Sequence, residues 1–323
     1  MGEFELLARV RERLPPPGGR IWVGAGDDAA VTVPGGATAT SVDALVEGVH
    51  FNRDDAGLRQ VGAKALATAL SDLAAMGAEP GEAYVVLTVP PGLDEEACLE
   101  AVDGMLALAA ATDTTLVGGD VTRGPVLAFA VTVVGHASSP ARFVRRDGAR
   151  PGDALVLTGE LGAAAASLLL GDRDVPGLSR SAAAELHRRQ LEPLPRLDAG
   201  IALAAAGATA MIDVSDGLGA DAGHLAAASR VGLRIEAEAL PLAAGVAELA
   251  AAAGRDPLQL AVSGGEDYEL LAAIPPQGLD LARLSEAGSA GMTRIGEVVA
   301  GEGVEIRRPG GQMLEPAGFD QLG

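Results

Sequence analysis

The chain has 323 residues, 48% of them hydrophobic but only 2% aromatic, and carries a formal net charge of −20. That length predicts two packed domains, with cores built from Ala, Leu and Val rather than from rings. The acidity argues against nucleic acid or an anionic membrane as partner, so an anionic substrate would need metal ions, arginines or backbone N–H groups around it.

Residues of about 3–14 read as a short amphipathic helix closed by Pro15-Pro16-Pro17-Gly18-Gly19. Residues 21–24 lead into an Asp27-Asp28 turn, and 37–42 alternate as a strand that ends at Asp43. From Leu58 to Met76 apolar residues recur at helical spacing, with Asp72 inside the helix and Lys64 two turns earlier. A buried strand over 85–89 stops at Pro90-Pro91, Asp94 is the N-cap of a helix to about 111, and 114–117 is a strand ending at Gly118-Gly119-Asp120. With a further strand over 126–134, the first half reads as an α+β layer with a mixed or antiparallel sheet. The turn-rich Gly148-Ala149-Arg150-Pro151-Gly152-Asp153 marks the break, giving domains over 1–138 and 148–323. The second half has a strand at 154–157 and helices near 162–170, 180–190 and 196–206. A strand then enters Asp213-Val214-Ser215-Asp216-Gly217 before a helix, and strands follow at 233–237, 268–274 and 293–299.

Acidic residues sit at element ends among Gly, Ser and Thr, and several follow apolar runs where an unpaired charge is costly. Gathered by a fold, such carboxylates would repel one another unless cations were present. Hard oxygen ligands of this kind suit magnesium held together with substrate phosphates. Each motif also has a plain structural reading. Asp27 and Asp28 could cap a turn, Asp72 could pair with Lys64 or an arginine, and Ser215 or Asp216 could cap a helix. Capping accounts for only one of Asp213 and Asp216, however, and Ser263-Gly264-Gly265-Glu266-Asp267-Tyr268-Glu269 holds more acid than a turn requires. Gly119-Asp120 with Arg123 could hold a phosphate and a metal together. Arg145 and Arg146 precede the interdomain turn; a phosphate-facing role suits them in so acidic a chain. Among the four histidines only His50, seven residues after Asp43, stands near such a motif. Lys64 is the only lysine among 24 basic residues and lies outside any G-x-x-x-x-G-K-[ST] loop. The single cysteine, Cys98, excludes a disulfide framework and reads as inert packing. No basic-then-apolar leader opens the sequence, and its apolar runs are too short for a bilayer, which predicts a cytoplasmic protein.

Taken in order, Gly26-Asp27-Asp28-Ala29-Ala30, Ser41-Val42-Asp43 through His50-Phe51, Ser71-Asp72-Leu73-Ala74-Ala75-Met76-Gly77-Ala78, Gly118-Gly119-Asp120-Val121-Thr122-Arg123-Gly124, Asp213-Val214-Ser215-Asp216-Gly217-Leu218 and 263–270 resemble the thiamine-monophosphate kinases. These belong to the superfamily of aminoimidazole ribonucleotide synthetase. The likeness covers nearly the whole chain. It implies a two-domain α/β (α+β) fold: an N-terminal mixed sheet with helices that dimerises, and a C-terminal α/β domain. It further implies ATP-dependent phosphorylation of thiamine monophosphate to thiamine diphosphate, by direct in-line transfer in a homodimer.

By matching positions, Asp28, Ser41, Asp43, Asp72, Asp120 and Asp213 would ligate magnesium ions, with Asp216 holding a further one. Gly119, Asp120, Arg146 and Ser215 would contact ATP, and His50, Glu266 and Phe319 would meet the thiamine phosphate. Asp72, Asp120 and Arg146 would carry the transfer itself. Val42 stands where many relatives have threonine, so its metal contact would come from its backbone carbonyl. Ala110 and Ala111 replace a region where relatives often place a tyrosine against adenine. Another ATP-dependent enzyme of the superfamily, or a non-catalytic nucleotide- or metal-binding regulator, are the competing readings. Selenophosphate synthetase is disfavoured, because no cysteine lies near the N-terminal glycine-rich turn.

Overall fold

The computed structural model of the chain describes residues 3–16, 18–25, 29–171 and 175–319, so Asp28 lies outside the described residues. Residues 1–73 and 78–142 form one compact unit; residues 74–77 and 143–323 form the other.

The first unit starts with α1 (Glu3–Arg13) and an antiparallel pair, β1 (Ile21–Val23) and β2 (Val31–Thr32). Then come β3 (Ala37–Val46), α2 (Leu58–Ala75), β4 (Glu79–Val89), α3 (Glu95–Ala111), β5 (Thr115–Arg123) and β6 (Ala128–Ala137). The four-stranded sheet has the order β3-β6-β4-β5. β6 runs antiparallel to β3 and β4, while β4 and β5 are parallel, joined by α3 as a crossover. Asp94 caps α3 by accepting from Ala97 N–H at 2.9 Å, as its sequence position predicts. α2 and α3 cross at two glycines: a Cβ on Gly62 would stand 1.9 Å from Ala101 O, and one on Gly104 1.9 Å from Arg59 O. Leu66, Leu70, Leu99, Met105 and Phe129 fill the core.

Two strands outrun their expected ends. β3 continues past Asp43 to Val46 because every residue pairs with β6, Asp43 opposite Val131. β5 likewise carries Gly118-Gly119-Asp120 within the strand rather than in a turn, with Gly119 opposite Val85 and Asp120 opposite Val86 on β4. As the last strand of the sheet, β5 still leaves one side of its backbone unpaired by another strand.

The second unit contains β7 (Ala154–Thr158), α4 (Ala163–Leu170), α5 (Arg180–Leu191), α6 (Leu197–Ala205), β8 (Ala210–Val214), α7 (Leu218–Ser229) and β9 (Gly232–Glu236). These are followed by α8 (Val246–Ala252), α9 (Pro257–Ser263), β10 (Glu269–Ile274), α10 (Leu281–Ala287), β11 (Met292–Val299), β12 (Gly303–Arg307) and β13 (Met313–Leu314). Its seven strands run in the order β13-β12-β9-β11-β7-β10-β8, antiparallel except for β9 and β12. Leu155, Leu157, Ile212, Leu225, Leu271 and Ile295 pack in one core against the sheet. Within it Glu269, 2% exposed, receives Arg196 through two bonds of 2.7 and 2.6 Å and Thr158 Oγ1 at 2.7 Å. A buried carboxylate is tolerable there because a two-pronged guanidinium and a hydroxyl satisfy it.

Candidate active site

Three of the expected residues, Asp213, Ser215 and Asp216, lie where β8 hands the chain to α7. Asp213 is buried at the end of β8, and Ser215-Asp216-Gly217 make the turn. Gly217 has φ of 116°, a backbone state open to glycine and strained for other residues. Neither Ser215 nor Asp216 caps the helix. Instead Asp221, inside the first turn of α7, reaches back so that its Oδ2 accepts the N–H groups of Ser215 (3.0 Å), Asp216 (3.0 Å) and Gly217 (3.1 Å). Burial, followed by the charges of Asp213 and Asp216, pushes the Asp221 carboxyl up to about 7. Asp216, Asp221 and His224 each place a ligand atom within 4.8 Å of the others. Sequence reasoning missed Asp221; an acid in the first turn of a helix behind an Asp-x-Ser-Asp-Gly turn is the signal that identifies it.

Two other segments meet this turn. The loop after α9 docks on it through Glu266 N–H to Ser215 O (2.7 Å) and Tyr268 N–H to Val214 O (2.8 Å). The fit is close enough that a Cβ on Gly265 would stand 2.6 Å from Ser215 O. Glu266 and Tyr268 hold positive φ, 65° and 51°, an uncommon state for such residues that the docked loop enforces. Asp267 anchors the loop from the other side, both carboxylate oxygens accepting Gly162 N–H at 3.0 and 2.9 Å, and burial pushes its carboxyl up to about 8. The C-terminal segment arrives with Phe319 N–H donating to Asp216 O at 2.9 Å, while the Phe319 ring is 59% exposed. Ser215, Asp216, Glu266 and Phe319 are thus joined by consecutive backbone hydrogen bonds. A polar cavity of about 210 Å³ beside them is lined by Glu266, Asp267, Glu269, Arg188, Arg189 and Arg196.

Arg146 is exposed in the segment before β7. Its carbonyl accepts Ser229 Oγ–H at 2.6 Å, and among the described residues its guanidinium has no carboxylate partner, whereas Arg145 pairs with Asp147 at 3.0 Å.

In the first unit, Ser41 Oγ donates to Asp72 Oδ2, joining β3 to α2. Asp43, two residues on, shares that face of the strand. Val42 points the other way and is 66% exposed. Asp120, in register with Val86, falls on the same side of the sheet as Val42, not that of Ser41 and Asp43. Gly119 brings β5 against β4 so closely that a Cβ would stand 1.9 Å from Val85 O. Beside this edge lies a largely apolar cavity of about 440 Å³, lined by Val10, Ala25, Ala29, Tyr84, Gly119 and Asp120 among others. The residues flanking Gly26-Asp27-Asp28 therefore face the same hollow as Asp120. His50 accepts Val46 N–H at its Nδ1 (3.0 Å), which puts the proton of the neutral ring on Nε2. Lys64 is 1% exposed, and its Nζ donates to His50 O at 3.4 Å. Cys98 is packing, as expected, with burial pushing its thiol up to about 11.

The donor sets consist of carboxylates and a hydroxyl, the chemistry of a hard divalent cation. Burial first, and then the charges of Asp213 and Asp216, raise the Asp221 carboxyl, and a cation would relieve the repulsive part. The residues fit magnesium.

Residues 26–137 match the AIR synthase related protein N-terminal domain, and residues 150–308 match the corresponding C-terminal domain. The chain is 39% identical to the thiamine-monophosphate kinase of Salmonella typhimurium, over all of this chain and 97% of that protein. The crystal structure of the thiamine-monophosphate kinase of Stenotrophomonas maltophilia superposes with a TM-score of 0.84 at 38% identity, covering 95% of this chain and 96% of that one. The structure of AaThiL complexed with AMPPCP and TMP gives 0.78 at 33%, covering 98% and 96%. Fold and matched domains make the chain a two-domain α/β protein of the AIR synthase-related class. Within that class it belongs to the thiamine-monophosphate kinase family, and it is a kinase.

Proposed function

We propose that the protein transfers the γ-phosphoryl group of ATP directly to the phosphate of thiamine monophosphate, releasing thiamine diphosphate and ADP. The observation that carries this reading is the convergence of Ser215, Asp216, Glu266 and Phe319 at the start of α7, where the ATP-contacting and acceptor-contacting residues of the family resemblance meet. The relative that gives the second structural match holds AMPPCP, a non-transferring ATP analogue, together with TMP.

An oxygen of the acceptor phosphate attacks the γ-phosphorus in line while the bond to the β,γ-bridging oxygen breaks. A phosphate monoester is already largely ionised near neutral pH, so no general base is needed. The barrier is set by like charges brought together, and charge neutralisation with positioning lowers it. Asp28, Ser41, Asp43, Asp72, Asp120, Asp213 and Asp216, with the Val42 carbonyl, would hold magnesium, which supplies that neutralisation when bound. Arg146, whose guanidinium has no carboxylate partner among the described residues, offers it to the nucleotide phosphates, and the β5 edge at Gly119 offers backbone donors. His50, with its proton on Nε2, presents a donor to the acceptor. The exposed ring of Phe319 and the Glu266 carboxylate suit a cationic heteroaromatic acceptor. The enzyme works in the cytoplasm as a homodimer, paired through the sheet face of the first unit that exposes Val42 and Val86 (66% and 40%).

A coupled ADP-release assay with thiamine monophosphate, thiamine and aminoimidazole precursors, with and without magnesium, tests this. Turnover should require thiamine monophosphate and magnesium together, and Asp72→Asn should lose about two or more orders of magnitude in kcat while remaining folded. Magnesium-dependent ATP binding with no turnover on thiamine monophosphate would replace the reading with a regulatory one.

A further inference from the structure

The segment after β13 crosses the start of α7, and a single side chain grips its backbone twice. The Gln259 amide donates from Nε2 to Glu315 O at 3.0 Å and accepts Glu315 N–H at Oε1 at 3.1 Å, one rung of a β-ladder made by a side chain. Four residues on, Phe319 N–H reaches Asp216 O. Between these points the segment lies against α7 with no room for a side chain. A Cβ on Gly219 would stand 2.6 Å from Ala317 O, and one on Gly318 2.4 Å from the Ala220 Cβ. Gln259 belongs to α9, whose two ends are tied to the same region. Asp256 at its start takes both bonds from Arg308, at 2.6 and 2.5 Å. Ser263 at its end donates to Gln259 O at 2.8 Å and opens the loop that carries Glu266.

We infer that Gln259 is a positioning residue for the acceptor end of the site: it sets the 315–319 segment in register with α9, so that the Phe319 backbone is held against the turn at Asp216. This rests on the proposed acceptor role of Phe319. The backbone at Phe319 is fixed while its ring stays largely exposed, and a flat surface held from behind is what a stacking partner needs.

Gln259→Met keeps the helix and the stem but removes the amide. Two hydrogen bonds lost at a half-exposed site should speed amide exchange at Phe319 about tenfold, with the amides of Met211 and Ile212 in β8 unchanged. The KM for thiamine monophosphate should rise by roughly the same factor, while kcat and the KM for ATP stay within about twofold. In a Phe319→Ala background the same change should add nothing, because the ring it positions is gone. Unchanged exchange at Phe319 in Gln259→Met overturns the inference whatever the kinetics, and so does full additivity with Phe319→Ala. An unaltered acceptor KM in Phe319→Ala alone overturns the acceptor reading instead, and the exchange result then still decides whether Gln259 sets the segment.

Discussion

Asp221→Asn probes the carboxylate crowding at the start of α7. In the folded chain the Asp221 carboxyl is held at about 7 against an ordinary 3.8, by burial first and then by Asp213 and Asp216. An acid whose value is raised on folding binds its proton more tightly in the folded chain. Its stabilising contribution is therefore complete below about pH 4 and is lost as pH rises through about 7. At about 1.4 kcal/mol per pH unit, the loss is on the order of 4 kcal/mol. Asparagine keeps an oxygen for the N–H groups of Ser215, Asp216 and Gly217 and carries no charge. In metal-free buffer at pH 8 the variant should melt roughly 10 °C above the wild type, at about 2–4 °C per kcal/mol for a unit of this size. Differential scanning calorimetry between pH 5 and pH 8 in the presence of a chelator reads the difference directly. A wild-type Tm as flat with pH as the variant's, or a variant less stable at pH 8, would refute the electrostatic account. Added magnesium should narrow the gap, because it relieves the same repulsion in the wild type.

Arg196→Met strands Glu269 in the core with Thr158 as its remaining side-chain hydrogen-bond partner, and should cost about 3–5 kcal/mol. Urea titration checks this, and Glu269→Gln in the same chain should recover part of the loss. Gly119→Val forces β5 away from β4, since even a Cβ there collides with Val85 O. It should destabilise the protein by about 1–3 kcal/mol and abolish ATP binding in a nucleotide titration; retention of both would remove the close approach from the account.

Where one run of residues carries its own period or cap, the sequence discloses the element. The α2 stripe, the Asp94 cap and the apolar cores of β7, β8 and β10 are of this kind. What a neighbouring strand decides was not legible. β3 and β5 extend through Asp43 and Asp120 because β6 and β4 offer ladder partners there, although Gly118-Gly119-Asp120 alone reads as a turn. The short α8, α9 and α10 were invisible to helical periodicity, which needs more turns than they have; only the Asp256-Pro257 start of α9 is a local signal. In the site, the motifs located Ser215, Asp216 and Glu266, but the agent that shapes their turn, Asp221, is marked in the sequence only as an acid in the first turn of α7, and its contact back to the turn is a matter of the folded backbone. The Ser41–Asp72 bond likewise depends on how α2 lies over β3.

The scarcity of aromatic rings has an optical consequence. Trp22, the only tryptophan, sits on β1 with 77% of its surface in water, far from reporting on either tightly packed interior. Its emission is that of an indole already bathed in solvent, so melting of the aliphatic cores would pass almost unseen in a fluorescence trace. The same isolation makes it a single-site lamp for collisional quenchers, reading out only what approaches the small β1–β2 ribbon.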